Sequence, residues 1–527
     1  MARFGIDLGT TYSEIARYDP DRALAQVAQL STSDGDELLR SVVYYPPGGG
    51  DPVVGETAMN VFAQHPDRVI IGVKWSMGSS WTTPPFDGRR YTAAEVSAQI
   101  LRVLKRDGEA CFGDPVNDVI ITVPAYFGPN QRRDTEEAGK MAGLNVIRLL
   151  EEPSAAALAY AIDKIDQIAG RNILVYDLGG GTFDVTLIRC EREEYAPGKV
   201  GLKIHNIYKS GDNHLGGLLW DSKLQEFVAE RCQEQFQYNP KLDHADNATL
   251  IEQCEKRKRA LSTLEEVTIS ADMRGHTVQV TRTEFEDRAA VHLELTRVKL
   301  EEVLQMAENP PEALKQQFKD ILPLSRDKIE VLLCGGATKM PAVVRLVTEM
   351  MGRPPLKHDN PELLVVKGAA YAAYLSPQMG EDKTSIRTYG EGGPQDIIMD
   401  QKKDIIYVLR PIGVKVLKDP DHPELGSRND VVIPGDATVG AIHEGHYAAA
   451  YDGVMKVSIE LLEGDDPDPA KCTALDTFVM ETDIPGRPKG WAIAVRLNYD
   501  DSGNIVGEAT DVEMKTKMKI SYQRQGR

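Results

Sequence analysis

A short turn near the start of the chain combines an acidic residue, a glycine and two hydroxyls, in the sequence GIDLGTTYSEIARYD. Asp7 closes an apolar run, Gly9 follows it, and Thr10 and Thr11 stand beside bare backbone N–H groups. N–H groups and hydroxyls bind phosphate, and a neighbouring carboxylate suits the metal ion that accompanies phosphate. A structural hairpin turn also uses glycine with short polar residues. The segment by itself therefore fits either a phosphate site or an ordinary hairpin.

The same pattern recurs in ILVYDLGGGTFDVTLIRC, where an apolar run ends at Asp177 and Thr182 follows three glycines. Two such hairpins, each opening its own half of the region, indicate related halves that face each other across a cleft. We expect both turns to aim N–H groups at one polyphosphate, with Asp7 and Asp177 approaching its metal ion from opposite sides. Consecutive glycines at Gly179–Gly181 would let the backbone close on a ligand in conformations that a Cβ forbids. The G-x-x-x-x-G-K-[ST] and G-x-G-x-x-G phosphate motifs are missing from the sequence.

Apolar strands alternate with helical segments around these hairpins, and this alternation predicts an α/β domain with mainly covered sheets. The predicted elements are a strand within Asp118–Tyr126, a helix from near Asn130 to Gly143, a strand at Val146–Leu150 with a helix from Pro153, a strand at Glu330–Cys334 and a helix at Pro341–Met351. A glycine turn at Gly335 and Gly336 feeds the last helix, an arrangement that serves either as an anion site or as a plain connector.

Composition limits the classes of partner. The formal net charge of −19 opposes binding to nucleic acid or to an anionic membrane surface. The chain shows no apolar run of about 20 residues and no signal-peptide layout at its start. Its six cysteines form no C-x-x-C pair, so we expect mostly buried thiols and a cytoplasmic location.

A change of pattern divides the chain. Residues 1–376 form the α/β region, and 377–410 are rich in Gly, Pro and charge, which is typical of a linker. Residues 411–527 contain short strands of period two and turns, as in VMKVSIELLEG and WAIAVRLNYDDSGNI. This pattern predicts a β-sandwich. The predicted fold class is therefore multidomain, with an α/β domain followed by an all-β domain.

The two hairpins, the segment ITVPAYFGPNQRRDTEEAGKMAGLNVIRLLEEPSAAALAYAID, GDNHLGG and LLCGGATKMPAVVRLV resemble the ATPase domain of the 70-kilodalton heat-shock chaperones. The resemblance extends from Met1 to about Leu375, with the motifs in family order. It implies an actin-like two-lobed ATPase domain that hydrolyses ATP to ADP slowly with Mg²⁺.

The resemblance assigns roles to individual residues. Asp7 and Asp177 would hold Mg²⁺, and Lys74, Glu152, Asp177 and Thr182 would be catalytic. Without the resemblance, Lys74 in an apolar segment and Glu152 at a helix start would be ordinary structural residues. The residues implied in phosphate binding are Gly9, Thr10, Thr11, Tyr12, Gly180, Gly181 and Thr182.

The adenosine would be held between CEKRKRALS and the second glycine turn. The residues implied are Glu255, Lys258, Arg259 and Ser262 on one side and Gly335, Gly336, Ala337 and Lys339 on the other. Without the resemblance, the residues of the first side would be interpreted as a solvent-exposed basic face of a helix. Ala337 and Lys339 stand where the family usually has serine and arginine, and Glu362-Leu363 replaces its usual Asp-Glu. Pro124, Arg132 and Arg148 match residues that relay the nucleotide state and meet J-domain cochaperones.

VVIPGDATVG, IELLEGDD and YDDSGNIVGEATD resemble the family's peptide-binding β domain, which implies unfolded or extended polypeptide clients, a J-domain cochaperone and a nucleotide-exchange factor. Three departures accompany the match. Val408 and Arg410 alter the family's linker motif, the loop between Val439 and Val454 is long, and the chain ends where the family continues into a helical lid. We therefore expect a lidless short form of the chaperone. An ATPase scaffold whose β domain holds one dedicated partner is the alternative, and a small-molecule kinase is the less favoured third class.

Overall fold

The computed structural model describes residues 2–164, 170–196, 199–356, 358–376, 385–390, 393–398, 405–406, 411–435, 441–453, 455–481, 487–500, 502–513, 516–517 and 519–523. The chain divides into two compact units. The first comprises Met1–Met77, Trp81–Phe127 and Asp134–Ile405, and the second comprises Gly78–Ser80, Gly128–Arg133 and Ile406–Arg527.

The first unit contains two sheets built on the same plan. One has the strand order β3-β2-β1-β8-β9, with β4 beside β2, and the other has the order β15-β10-β11-β12-β17-β16. The strands of the first sheet are β1 (Arg3–Leu8), β2 (Tyr12–Asp19), β3 (Leu24–Val27), β4 (Leu39–Arg40), β8 (Asp118–Val123) and β9 (Asn145–Glu151). Those of the second are β10 (Asn172–Leu178), β11 (Phe183–Ala196), β12 (Lys199–Asp212), β15 (Ile329–Cys334), β16 (Ser385–Gly390) and β17 (Gly393–Ile398).

In each sheet, an antiparallel hairpin lies beside a parallel strand that comes later in the chain. β1 pairs antiparallel with β2 and parallel with β8, while β10 pairs antiparallel with β11 and parallel with β15. The related halves predicted from the repeated motif are therefore present in the fold. We call β1–β2 the first hairpin and β10–β11 the second hairpin.

The linker predicted at 377–410 needs correction. Within that range, β16 and β17 form an antiparallel hairpin, and β17 pairs parallel with β12, so these residues extend the second sheet. Glycine and proline at the hairpin turn gave the segment a linker-like composition, whereas Ile386 and Ile397 are fully buried. β18 (Ile405–Ile406) lies at the boundary of the units, and the altered motif at Val408 and Arg410 lies outside the described residues.

Two further small sheets belong to the first unit. Their strands are β5 (Val42–Tyr44), β6 (Val53–Val54) and β7 (Val69–Ile71) in one, and β13 (Glu266–Ser270) and β14 (Thr277–Thr281) in the other.

Helices cover the sheets of the first unit. They are α1 (Glu56–Asn60), α2 (Ala93–Phe112), α3 (Pro129–Met141), α4 (Glu152–Asp163), α5 (Gly217–Phe236), α6 (His244–Leu261), α7 (Arg282–Glu308), α8 (Glu312–Gln317), α9 (Pro341–Met351) and α10 (Leu364–Leu375). The part of α3 up to Arg133 is assigned to the second unit. Thr92 and Thr281 begin α2 and α7 with reciprocal capping boxes, which satisfy N–H groups that lack partners inside the helix. None of the helices in the described part of the chain combines the length and apolar composition needed to cross a membrane.

Each half of the first unit has its own apolar core. One core joins Phe4, Ile6 and Ile15 of the first hairpin to α2, and the other joins Leu174, Phe183 and Val185 of the second hairpin to α5 and α7. All six cysteines are free, and four of them are buried, as predicted. These cores hold the ends of both hairpins in place.

The second unit is built from antiparallel strands after Pro411. One sheet has the order β20-β19-β22-β23-β27 and the other β21-β24-β25-β26. The strands are β19 (Ile412–Leu417), β20 (Ser427–Ile433), β21 (His443–Ala448), β22 (Lys456–Glu463), β23 (Thr473–Glu481), β24 (Ala492–Tyr499), β25 (Ile505–Asp511), β26 (Thr516–Lys517) and β27 (Lys519–Gln523). Both sheets contribute to one core that contains Ile412, Phe478 and Trp491.

Candidate active site

A cavity of about 560 Å³ in the first unit is lined by both hairpins, α6 and the turn after β15. Its volume is within the range of small-molecule sites. Among the residues predicted to contact nucleotide or metal, only Gly181 does not line it. The lining residues that were predicted are Asp7, Gly9, Thr10, Thr11, Tyr12, Lys74, Glu152, Asp177, Gly180, Thr182, Glu255, Lys258, Arg259, Ser262, Gly335, Gly336, Ala337 and Lys339.

The turns of the two hairpins approach each other closely at one end of the cavity. A Cβ at Gly180 would lie 1.9 Å from Thr11 Oγ1, and one at Gly181 would lie 2.5 Å from the Thr10 methyl group. Gly180 and Gly181 do not have positive φ angles, so the predicted reason for these glycines needs correction. They are required because the opposite turn leaves no room for a side chain.

The second turn is anchored by the start of α5. The N–H groups of Gly217 and Leu218 donate to the carbonyls of Gly179 and Gly180 at 2.9 and 2.8 Å. These bonds direct the carbonyls toward α5 and fix the course of the turn. The indole N–H of Trp75 donates to the Gly181 carbonyl at 2.7 Å and ties this turn to the segment that carries Lys74.

Buried carboxylates collect at the same end of the cavity. Asp7 accepts a hydrogen bond from the Thr122 hydroxyl at 2.6 Å, whereas Asp177 Oδ2 and Thr11 Oγ1 are buried without a hydrogen-bond partner. Burial raises the pKa of Asp7 despite the nearby Lys74, and burial together with Glu152 and Asp184 raises the pKa of Asp177 well above its usual range. Such a site stabilises bound positive charge.

Lys74 and Glu152 form a buried ion pair, with Nζ 2.7 Å from Oε1. Glu152 is the first residue of α4, and burial raises its pKa to about 7. Burial would lower the pKa of Lys74, but Glu152 and Asp7 raise it above the ordinary value, so the ammonium remains charged. The site therefore contains a fixed cation among carboxylates at the closed end of the cavity.

A polar network joins the first hairpin to α6. The Tyr12 hydroxyl donates to Glu255 at 3.0 Å and accepts from Arg259 at 2.9 Å. Glu255 also forms an ion pair with Arg40. The Arg259 guanidinium also lies 5.2 Å from the centroid of the Tyr12 ring, so its planar face is near the cavity.

The other predicted basic residues of the cavity wall are paired. Lys258 is buried and donates to the Gly217 carbonyl and to Asp221, each at 2.8 Å. Lys339 is exposed and pairs with Glu362. The contact between Lys339 and Glu362 joins two positions at which the resemblance described above implied departures from the usual family residues.

The three residues predicted to act as a relay do not line the cavity. Pro124 follows β8 directly, Arg132 is buried in α3, and Arg148 is buried in β9. Their relay role stays a prediction.

Several residues of the site escaped the sequence analysis. Glu14 and Asp221 line the cavity, and Trp75 contacts its turn. The sequence contained one feature that could have identified Glu14. It follows Asp7 by the same interval at which Asp184 follows Asp177 in the repeated motif. No such feature in the sequence pointed to Asp221 or Trp75, because their partners come from distant parts of the chain.

Comparison with known proteins agrees with this architecture. A family model described as Hsp70 protein matches residues 3–87 and 83–387. The chain is 32% identical over 518 residues to the chaperone protein DnaK of Thermotoga neapolitana, covering 96% of this chain and 78% of the relative. It is likewise 32% identical over 520 residues to the chaperone protein DnaK of Thermosipho melanesiensis, covering 96% and 78%. The cavity between the repeated hairpins and these matches lead to one conclusion: the chain belongs to the Hsp70 family of ATP-dependent chaperones, whose members are ATPases.

Proposed function

We propose that this chain couples hydrolysis of Mg²⁺-ATP in its first unit to the binding and release of extended apolar polypeptide segments by its second unit. The observation that carries the proposal is the cavity in which both hairpins meet around the Lys74–Glu152 pair. The actin-like description of the first unit and the peptide-binding role of the β domain are parts of this proposal.

The acidic end of the cavity fits a magnesium ion. Asp177 Oδ2 and Thr11 Oγ1 are buried oxygens without a partner, and burial together with the carboxylates of Glu152, Asp184 and Asp7 raises the pKa of Asp177. Among the described residues, no group of three or more His, Cys, Asp or Glu side chains is arranged to hold a metal ion. Mg²⁺ commonly uses one or two carboxylates, waters and phosphate oxygens, so Asp7 and Asp177 would suffice. The ion would supply charge neutralisation to the phosphates.

The remaining chemistry falls to residues around the closed end. Phosphoryl transfer to water depends on positioning and on charge stabilisation. Lys74 would stabilise the charge that develops on the terminal phosphate, and Glu152 holds the Lys74 ammonium through a hydrogen bond. Thr10, Thr11 and Thr182 line the cavity on opposite turns and would donate their hydroxyls to the phosphate chain.

The open end of the cavity would hold the adenosine. The planar guanidinium of Arg259 is exposed and contacts the Tyr12 ring. An adenine base could take the place of that ring against the guanidinium, with the buried Glu255 carboxylate beside it as a hydrogen-bond acceptor. Lys258 supports this wall through Asp221. Gly335, Gly336, Ala337 and Lys339 would form the opposite wall.

The second unit would bind clients through its antiparallel sheets, since extended peptides are recognised largely by backbone hydrogen bonds. A J-domain cochaperone and a nucleotide-exchange factor are the expected protein partners, with Pro124, Arg132 and Arg148 relaying the nucleotide state. A cytoplasmic location also belongs to the proposal.

The test is ATP hydrolysis in single-turnover conditions with and without an extended apolar peptide. We expect slow basal hydrolysis that needs Mg²⁺ and accelerates several-fold with the peptide. A peptide of the same length with its apolar residues replaced by Ser and Glu is the control. Hydrolysis that ignores the apolar peptide would contradict the coupling, and an absence of Mg²⁺-dependent hydrolysis would contradict the role of the cavity.

A further inference from the structure

Glu14 is a buried carboxylate of the cavity to which the proposed function assigns no role. It lies on β2 opposite Asp7 in the register of the first hairpin, and it lines the cavity. Only 3% of the residue is exposed, and its Oε2 has no hydrogen-bond partner. A buried acceptor without a donor is costly, so a native site that keeps one needs an explanation.

The charges around Glu14 do not balance. Among the described residues that line the closed end, Asp7, Glu14, Glu152 and Asp177 are acidic and Lys74 is basic, and Lys74 is bonded to Glu152. The phosphates of a bound nucleotide would add further negative charge to the same end. A cation bound beside Glu14 would offset this charge and give the unpaired Oε2 a partner.

We propose that Glu14 is a ligand of a second divalent cation, which binds together with the nucleotide. The proposal rests on the proposed function, in which Asp7 and Asp177 hold the first ion. Carboxylate, phosphate and water oxygens are the ligands that hard divalent ions prefer. A divalent ion is favoured over a monovalent one because it must offset both Glu14 and the added phosphate charge.

Binding of the second ion should require the nucleotide. The described residues hold no group of three acidic, His or Cys side chains that could form a site by themselves, so phosphate and water must complete the ligand set. The asymmetry between the hairpins supports this location. Asp184, the matching acid of the second hairpin, also has a buried oxygen without a hydrogen-bond partner, but it does not line the cavity.

The experiment counts Mn²⁺ ions bound per chain by equilibrium dialysis and electron paramagnetic resonance, with the full chain saturated by ADP. We expect two ions for the parent chain and one for Glu14→Gln, which preserves shape and removes the charge. Without ADP, the second ion should be lost. Asp221→Asn, which also removes a cavity carboxylate and lies opposite Lys258 rather than beside Glu14, is the matched control and should retain two ions.

The outcomes separate this proposal from the proposed function. One ion in the parent chain overturns the second site and leaves the first in place, whereas no ion would overturn both. Two ions in Glu14→Gln would show that Glu14 is not the ligand. A count of one ion in the parent chain would overturn the second site even if a variant folds poorly. Thermal melting of each variant shows whether it folds.

Discussion

The two hairpins share a backbone plan but present different side chains to the cavity. In each, an acid one residue before the end of the first strand faces a second acid across the hairpin, Asp7 with Glu14 and Asp177 with Asp184. The first turn carries the hydroxyls of Thr10 and Thr11, whereas the second turn carries glycines. The repeat therefore sets where the acids lie, and the divergent turns set what each half can contact.

The close approach of the turns explains why they differ. Thr10 and Thr11 occupy the space that side chains at Gly181 and Gly180 would need. One turn can carry hydroxyls only because the other carries none at the facing positions. An internal repeat that closes on a ligand becomes asymmetric for this steric reason.

The largest expected effect concerns Lys74, the cation that the first half supplies. Lys74→Ala should lower the single-turnover rate by about three orders of magnitude, since a donor aimed at developing charge is worth roughly 10²- to 10³-fold. ATP affinity should change little, which calorimetry would measure. Lys339→Ala, at the exposed edge of the cavity, is the control and should lose less than about tenfold in rate. Equal losses in both variants would contradict the role of Lys74.

The pH dependence of stability tests the acid of the second hairpin. Burial and Glu152 raise the pKa of Asp184 from its ordinary value of 3.8 to about 7. The folded chain then keeps a proton that the unfolded chain has lost, so this contribution to stability is present at low pH and disappears as the pH rises through about 7.

Asp184→Asn should therefore flatten the decline in unfolding free energy between about pH 4 and pH 6.5 by roughly 3 kcal/mol. Chemical denaturation of the nucleotide-free, metal-free chain measures this effect. Parallel curves for the parent and the variant would show that Asp184 has the same proton affinity in both states.

Substitution of neighbouring glycines tests the contact between the hairpins. Gly180→Ala should lower turnover on the order of 10²-fold, because its Cβ would meet Thr11 at 1.9 Å and displace one turn. Gly179→Ala is a closely matched control, since its nearest neighbour would lie 3.7 Å away. Single-turnover rates and melting temperatures of the two variants check the comparison. A tolerated Gly180→Ala would mean that the turns separate during the reaction.

The smallest effect concerns the bond between Trp75 and the second turn. Trp75→Phe keeps an aromatic ring but removes the donor to the Gly181 carbonyl, which should cost about 0.5–1.5 kcal/mol in transition-state stabilisation. The kcat/KM for ATP should fall about two- to tenfold. Trp81→Phe, in a residue packed against the core of the first half, should leave kcat/KM within about twofold of the parent. Equal changes in kcat/KM for both variants would show that the hydrogen bond from Trp75 does not contribute to the reaction.

Composition misled the sequence analysis at the edge of the second sheet. Gly390 and Gly393-Pro394 belong to a hairpin in which Ile386 and Ile397 are the buried residues among those whose side chains are described, and two such residues show no clear period in the sequence. A short edge strand needs little apolar sequence, because a neighbouring strand supplies most of its hydrogen bonds. Such a segment resembles a linker until its partner is known.

Sequence by itself determined the repeated hairpins, the alternation of strands and helices, and the change to period two after Pro411, because each depends on neighbours within a few residues. The resemblance to a family pointed to Lys74, Glu152 and the α6 residues, all of which line the cavity. Only the tertiary structure decided the pairing of Lys258 with Asp221, the bond from Trp75 and the isolation of Glu14. Segments far apart in the chain bury these groups and supply their partners. A pattern of neighbouring residues therefore cannot predict these contacts.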